Sequence, residues 1–248
     1  MIRIEPALVV ALHPHGEHGL VGRFLGADEG LVAAYVHGGR GRALRPVLQL
    51  GNQVALDITP RRAGQLPVAA VHALASNMAM LHGPAAIAMV EHVCALAAAV
   101  LPESEAQPVL TPLIAALLAA AGAGADRLTL GAALVRLELA LLAELGLGLD
   151  LASCAATGSR DDLAYVSPKS RQAVSLAAGL PYAARLLPLP AFVQGGGPAD
   201  AGALADGLKL SGHFLLRDLV AGNPAEARLR AGRDRLAGLL LAPANSPG

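Results

Sequence analysis

Tryptophan is absent, and three Phe and three Tyr are the only other large aromatics among 248 residues. A broad aromatic platform for unpaired bases is therefore not expected. Cysteine is scarce as well. Cys94 and Cys154 form no CxxC pair, so there is no disulfide framework, in keeping with a reducing compartment. Charge bias is missing: 19 basic and 19 acidic side chains cancel, and any contact with nucleic acid or an acidic membrane must come from a local patch. Two uncharged stretches, Gln65 to Val90 and Ala106 to Ala125, are interrupted by His72, Asn77, Gly83 and Pro84 and by Pro108, Pro112 and Gly122, so both read as buried segments rather than membrane spans. The short apolar run Ala7 to Leu12 stops at His13-Pro14, leaving no visible signal peptide and an expected cytoplasmic location. No GxSxG, GxxxxGK[ST] or GxGxxG motif anchors a hydrolase, P-loop or dinucleotide reading, which makes enzyme the weaker class.

The chain is rich in apolar residues. Hydrophobic residues at 54% and charged residues at 15% exclude a disordered chain. From residue 1 to about 74 the pattern favours short strands at Ala7 to Leu12, Leu20 to Leu25, Leu31 to His37, Gln53 to Thr59 and Leu66 to Val71, separated by Gly, Pro and Asp turns. Five such strands suit a small closed barrel of the OB type, with an SH3-like barrel left open. From about residue 75 to 248 long Ala/Leu segments bracketed by Gly and Pro predict a helical domain. Thr111-Pro112 and Thr129 are the expected starts of its second and third helices. Leu130, Leu134, Leu137, Leu141 and Leu145 mark an apolar stripe on the third. Two further helices, Ala199 to Ala221 and Pro224 to Leu241, follow an irregular insert at about 150–198 with a strand-like pair at Leu163 to Val166 and Ala173 to Ser175. The fold class is thus α+β, a barrel followed by a mainly helical domain.

The zero total hides a basic barrel. Arg40, Arg42, Arg45, Arg61 and Arg62 face only Asp57 between residues 37 and 62. The loop Gly38-Gly39-Arg40-Gly41-Arg42 can bring guanidinium groups and backbone N–H to phosphates, although a solvated surface loop reads the same way. Only Phe24 and Tyr35 supply aromatic rings within the barrel strands, so phosphate contact should dominate. The cluster His13, His15, Glu17 and His18 holds metal-ligand types and supports an alternative, a metal-dependent hydrolase. It lies on a Pro/Gly turn with no helix to fix its spacing, and reads equally as a structural turn.

Several phrases, in order, resemble the RecO recombination mediator family of bacterial DNA repair. They are the Gly16-Glu17 turn, the basic loop Gly38 to Arg45, the helix Arg136 to Leu142, Gly146-Leu147-Gly148-Leu149-Asp150-Leu151, and Tyr165-Val166-Ser167-Pro168-Lys169-Ser170. The resemblance implies an OB-fold and a helical domain that bind single- and double-stranded DNA and anneal complementary strands. It also implies a role in recombinase loading at the nucleoid with RecR and single-stranded DNA-binding protein, without catalytic turnover or cofactor. The candidate DNA contacts are Arg23, Arg40, Arg42, Arg45, Arg61, Arg62, Lys169 and Arg171. The resemblance further implies an apolar groove for the acidic, aromatic-tipped tail of the single-stranded DNA-binding protein. Arg136 is the candidate cation at its edge, against the alternative that it pairs with Glu91 or Glu144. Two departures stand out. The family's zinc positions read Cys154, Thr157, Ser175 and Ala178 here, so the insert is a degenerate zinc finger without metal, and Arg171 stands where the family phrase has Gly.

Overall fold

Val, Leu and Ile at alternating positions suit a pleated, half-buried surface. In the computed structural model, which describes residues 1–62, 64–76, 81–195 and 197–242, they build five strands. These are β1 (Ile2–His15), β2 (Gly19–Gly26), β3 (Gly30–Val36), β4 (Gln53–Thr59) and β5 (Val68–Ala75). They close in the order β1-β2-β3-β5-β4, with β4 returning to β1 and β3 running parallel to β5. This is the OB arrangement rather than the SH3-like one. β1 can serve both β2 and β4 because it is long and because register shifts at Ile4/Ala7 and Val9/Ala11 bend it around the barrel. Phe24, Val9, Val36, Val54 and Leu56 fill the interior, each fully buried side chain contributing about 1.5–3 kcal/mol.

The chain divides into two compact units, Met1–Ala125 and Asp126–Gly248. Strand gives way to helix near the expected position, but the first two helices group with the barrel. These are α1 (Pro84–Val100), opened by its first-turn proline, and α2 (Leu110–Gly122). The Thr111 hydroxyl donates to the Gly26 carbonyl at 3.3 Å instead of capping α2, so tertiary anchoring displaces the expected local cap. Cys94 is wholly enclosed on α1, and burial pushes its thiol up to about 12. It packs as a small hydrophobe.

The second unit opens with α3 (Arg127–Glu144), whose cap is Asp126 rather than Thr129. An Asp126 oxygen accepts from the Leu128 and Thr129 amides at 2.9 and 3.0 Å, and the Thr129 hydroxyl donates to the other oxygen at 2.6 Å. The carboxylate also suits the positive end of the helix. Leu130, Leu134, Leu137 and Leu141 are buried as the stripe requires. The insert forms β6 (Leu163–Val166), β7 (Ala173–Ser175), the short helix α4 (Leu176–Gly179) and β8 (Leu187–Pro188), with sheet order β7-β6-β8. The helix expected over Ala199 to Ala221 is divided into α5 (Ala201–Phe214) and a π-helical turn, Leu215–Val220, before α6 (Glu226–Leu241). Glu138 on α3, Ser211 on α5 and Arg233 on α6 meet in a buried hydrogen-bonded cluster. Among the described residues no helix is long and apolar enough to cross a membrane.

Candidate nucleic-acid interface

The loops at residues 37–52 and 60–67 carry five of the barrel's arginines, Arg40, Arg42, Arg45, Arg61 and Arg62. Arg42, Arg45, Arg61 and Arg62 are exposed. Arg40 folds back on the β1–β2 turn, where its Nη1 donates to the Glu17 carbonyl at 3.1 Å and its amide to the His18 carbonyl at 3.3 Å, and its side chain remains at the surface. Arg61 and Arg62 border a pocket of about 420 Å³ with Ile2, Ile4, Val32 and Ile58 in its wall. Asp57, close to these arginines in sequence, is engaged by Arg3 at 3.1 Å and His72 at 3.0 Å, and a second acid, Glu29, lines the same pocket as Arg61 and Arg62. Arg23 differs from the rest. Its Nη1 donates to the Ala98 carbonyl and its Nη2 pairs with Glu103 at 2.7 Å, so it clips β2 to the end of α1 and both arms of its guanidinium are engaged within the protein.

The four-residue cluster His13, His15, Glu17 and His18 does not assemble as a metal site. Among the described residues no group of three or more His, Cys, Asp or Glu can hold a metal ion. His18 lies 4.0 Å from Glu17, both well exposed, while His15 turns to Tyr35. Tyr35 meets His15 with centroids 5.7 Å apart and His37 with centroids 4.7 Å apart, at interplanar angles of 78° and 87°. Counting only Phe and Tyr missed this trio. Its signal lies in register: His15 pairs with Gly19, and Gly19 stands one residue before the Leu20–Val36 pair, which brings His37 across from it.

In the second unit the hairpin of β6 and β7 carries Lys169 and Arg171. Lys169 is exposed at the tip. Arg171 has φ +62°, a left-handed conformation that explains why glycine suits the position. Its guanidinium pairs with Asp218 at 3.1 Å and donates to the Leu147 carbonyl at 3.1 Å, so it fastens the hairpin. Arg136 lies exposed on α3, donating to the Phe192 carbonyl at 3.0 Å with its guanidinium 5.6 Å from the Phe192 ring centroid. Cys154 lies in a tight turn beside β7. Its sulfur accepts from the Ser175 amide at 3.2 Å, and the hydroxyls of Ser175 and Thr157 help hold the thiol down to about 6.

The model of the recombination protein O C-terminal family matches residues 82–225. The DNA repair protein RecO of Rhodospirillum centenum is 41% identical over 225 residues, covering 90% of this chain and 88% of the relative. The chain belongs to the RecO family. The RecO of Rhodospirillum rubrum is 42% identical over 236 residues, with 93% of each chain covered. That of Paracoccus denitrificans is 42% identical over 231 residues, covering 91% of this chain and 93% of the relative.

The zinc site implied by the family resemblance does not fit the residues present. One sulfur with the hydroxyls of Thr157 and Ser175 lacks the Cys/His donors of a structural zinc, and Ala178 offers no ligand. The sulfur instead accepts from the Ser175 amide, an arrangement that stabilises a thiolate without metal. Purified protein should therefore contain no stoichiometric zinc, and a chelator should leave its thermal unfolding unchanged. About one zinc per chain by elemental analysis would contradict this.

Proposed function

We propose that this RecO family member is a non-enzymatic mediator of DNA repair. In this reading it binds single- and double-stranded DNA, anneals complementary strands, and assists recombinase loading at the nucleoid with RecR and single-stranded DNA-binding protein. The observation that carries the DNA-binding part is the set of exposed side chains Arg42, Arg45, Arg61 and Arg62 on two loops of one small barrel. Guanidinium groups on mobile stems suit phosphate oxygens of either duplex or single strand, and base identity plays no part in such contacts. Arg40 and Lys169 add exposed charge, on the barrel and on the insert hairpin respectively. Annealing follows from the same chemistry, since neutralising phosphates on two strands lowers the repulsion that keeps them apart. Family membership supports the two protein partners. Fluorescence anisotropy with labelled single-stranded and duplex oligonucleotides tests the binding reading. Both should bind at low salt, and a chain that binds neither would refute it.

The acidic tail of the single-stranded DNA-binding protein is assigned in this proposal to the helical unit, with Arg136 as its cation. The Phe192 carbonyl and ring steady that guanidinium while leaving it at the surface, a geometry suited to a terminal carboxylate. Arg136→Ala should weaken binding of the isolated tail peptide about tenfold or more, consistent with the loss of one charged hydrogen bond, and leave naked-DNA binding nearly intact. Unchanged peptide affinity in a folded variant would place the tail site elsewhere.

A further inference from the structure

We infer that His15, Tyr35 and His37 form a stacking site for unpaired bases, so that the barrel takes a single strand by its bases as well as by its phosphates. This rests on the DNA-binding reading and names the substrate of one barrel face. Tyr35 is half-buried and held on several sides. Its amide donates to the Pro67 carbonyl at 2.8 Å, it pairs with Val21 across β2 and β3, and its ring lies over Gly19. A Cβ at Gly19 would come within 2.1 Å of the Tyr35 hydroxyl, so glycine is what leaves the ring its place. The fixed ring props both imidazoles edge to face, and both imidazoles are exposed. Rings that are solvent-exposed yet braced lose little freedom when a base stacks on them.

Phosphate-binding groups flank this trio along the chain. Pro67 ends the loop that carries Arg61 and Arg62 and lines the pocket beside them. His37 opens the loop that carries Arg40, Arg42 and Arg45, and Arg40 reaches the turn that follows His15 through the Glu17 carbonyl. Histidine is among the side chains on which splayed bases stack, and every base has a π-face, so the contact tolerates any sequence. Bases in a duplex are already stacked on one another. The trio therefore favours single strands over duplexes, which the arginines by themselves do not.

The test compares wild type with the double variant His15→Ala, His37→Ala, checked for folding by circular dichroism. Three labelled probes are used: a single strand, its duplex, and a strand of equal length with abasic positions. The variant should bind the single strand about tenfold or more weakly, change less than about twofold on the duplex and the abasic strand, and keep the wild-type salt slope. His15→Phe with His37→Phe should restore single-strand binding. Equal loss on single strand and duplex, or no loss at all, would overturn the stacking site while leaving the arginine reading intact. Wild type that binds none of the probes would refute both.

Discussion

Replacing Arg233 with methionine is expected to destabilise the helical unit by about 3–5 kcal/mol, because it leaves a buried carboxylate without its partner. Glu138 is 0% exposed and the Arg233 side chain 7%. The guanidinium grips the carboxylate as a fork, Nε to Oε1 and Nη2 to Oε2, both at 2.8 Å, and Nη2 also donates to the Leu208 carbonyl at 2.8 Å. Ser211 donates to Glu138 Oε2 at 2.6 Å. Three helices are thus joined through one buried pair. Gly212 makes the room: a Cβ there would lie 2.2 Å from Arg233 Nη1. The double variant Glu138→Leu, Arg233→Met removes both charges and should recover most of the loss, as apolar replacements of buried pairs often do. Urea unfolding measures both. A single variant within about 1 kcal/mol of wild type, the low end for a lost hydrogen bond, would show that the pair does not hold the helices.

The affinity for single-stranded DNA should fall steeply with salt. About four neutralised phosphates at roughly 0.7 each give a slope of log K against log salt near −3, or roughly sixtyfold between about 50 and 200 mM. Arg61→Ala with Arg62→Ala should flatten that slope by about one unit or more, and Arg42→Ala with Arg45→Ala should do the same. Arg23→Ala provides the contrast. Its guanidinium is engaged by Glu103 and the Ala98 carbonyl, so its loss should leave the slope unchanged. A slope unaffected by the Arg61/Arg62 pair would remove that loop from the interface.

Much of this was legible in the sequence because it is local. Alternating Val and Leu between glycine turns locate the barrel strands, Pro84 opens α1, and Leu130 to Leu141 mark the buried face of α3. What escaped depends on distant partners. Glu138 sits inside a Leu-rich phrase, and nothing near it announces that Arg233, 95 residues away, will meet it. Arg23 and Arg171 look like free surface charge until Glu103 and Asp218 fold against them. Asp126 outcompetes Thr129 as the cap of α3 through three hydrogen bonds that spacing alone does not rank. The two imidazoles around Tyr35 come together only when β1, β2 and β3 are in register. β8 is two residues long and leaves no periodic trace.

Strand annealing bears most directly on the proposed role. Two complementary labelled oligonucleotides are mixed with the protein, once naked and once coated with single-stranded DNA-binding protein, and duplex formation is followed by energy transfer. A mediator of this kind accelerates annealing in both cases, with the Arg61→Ala, Arg62→Ala variant slower than wild type. Duplex formation no faster than in the protein-free control, with either form of the strands, would contradict it.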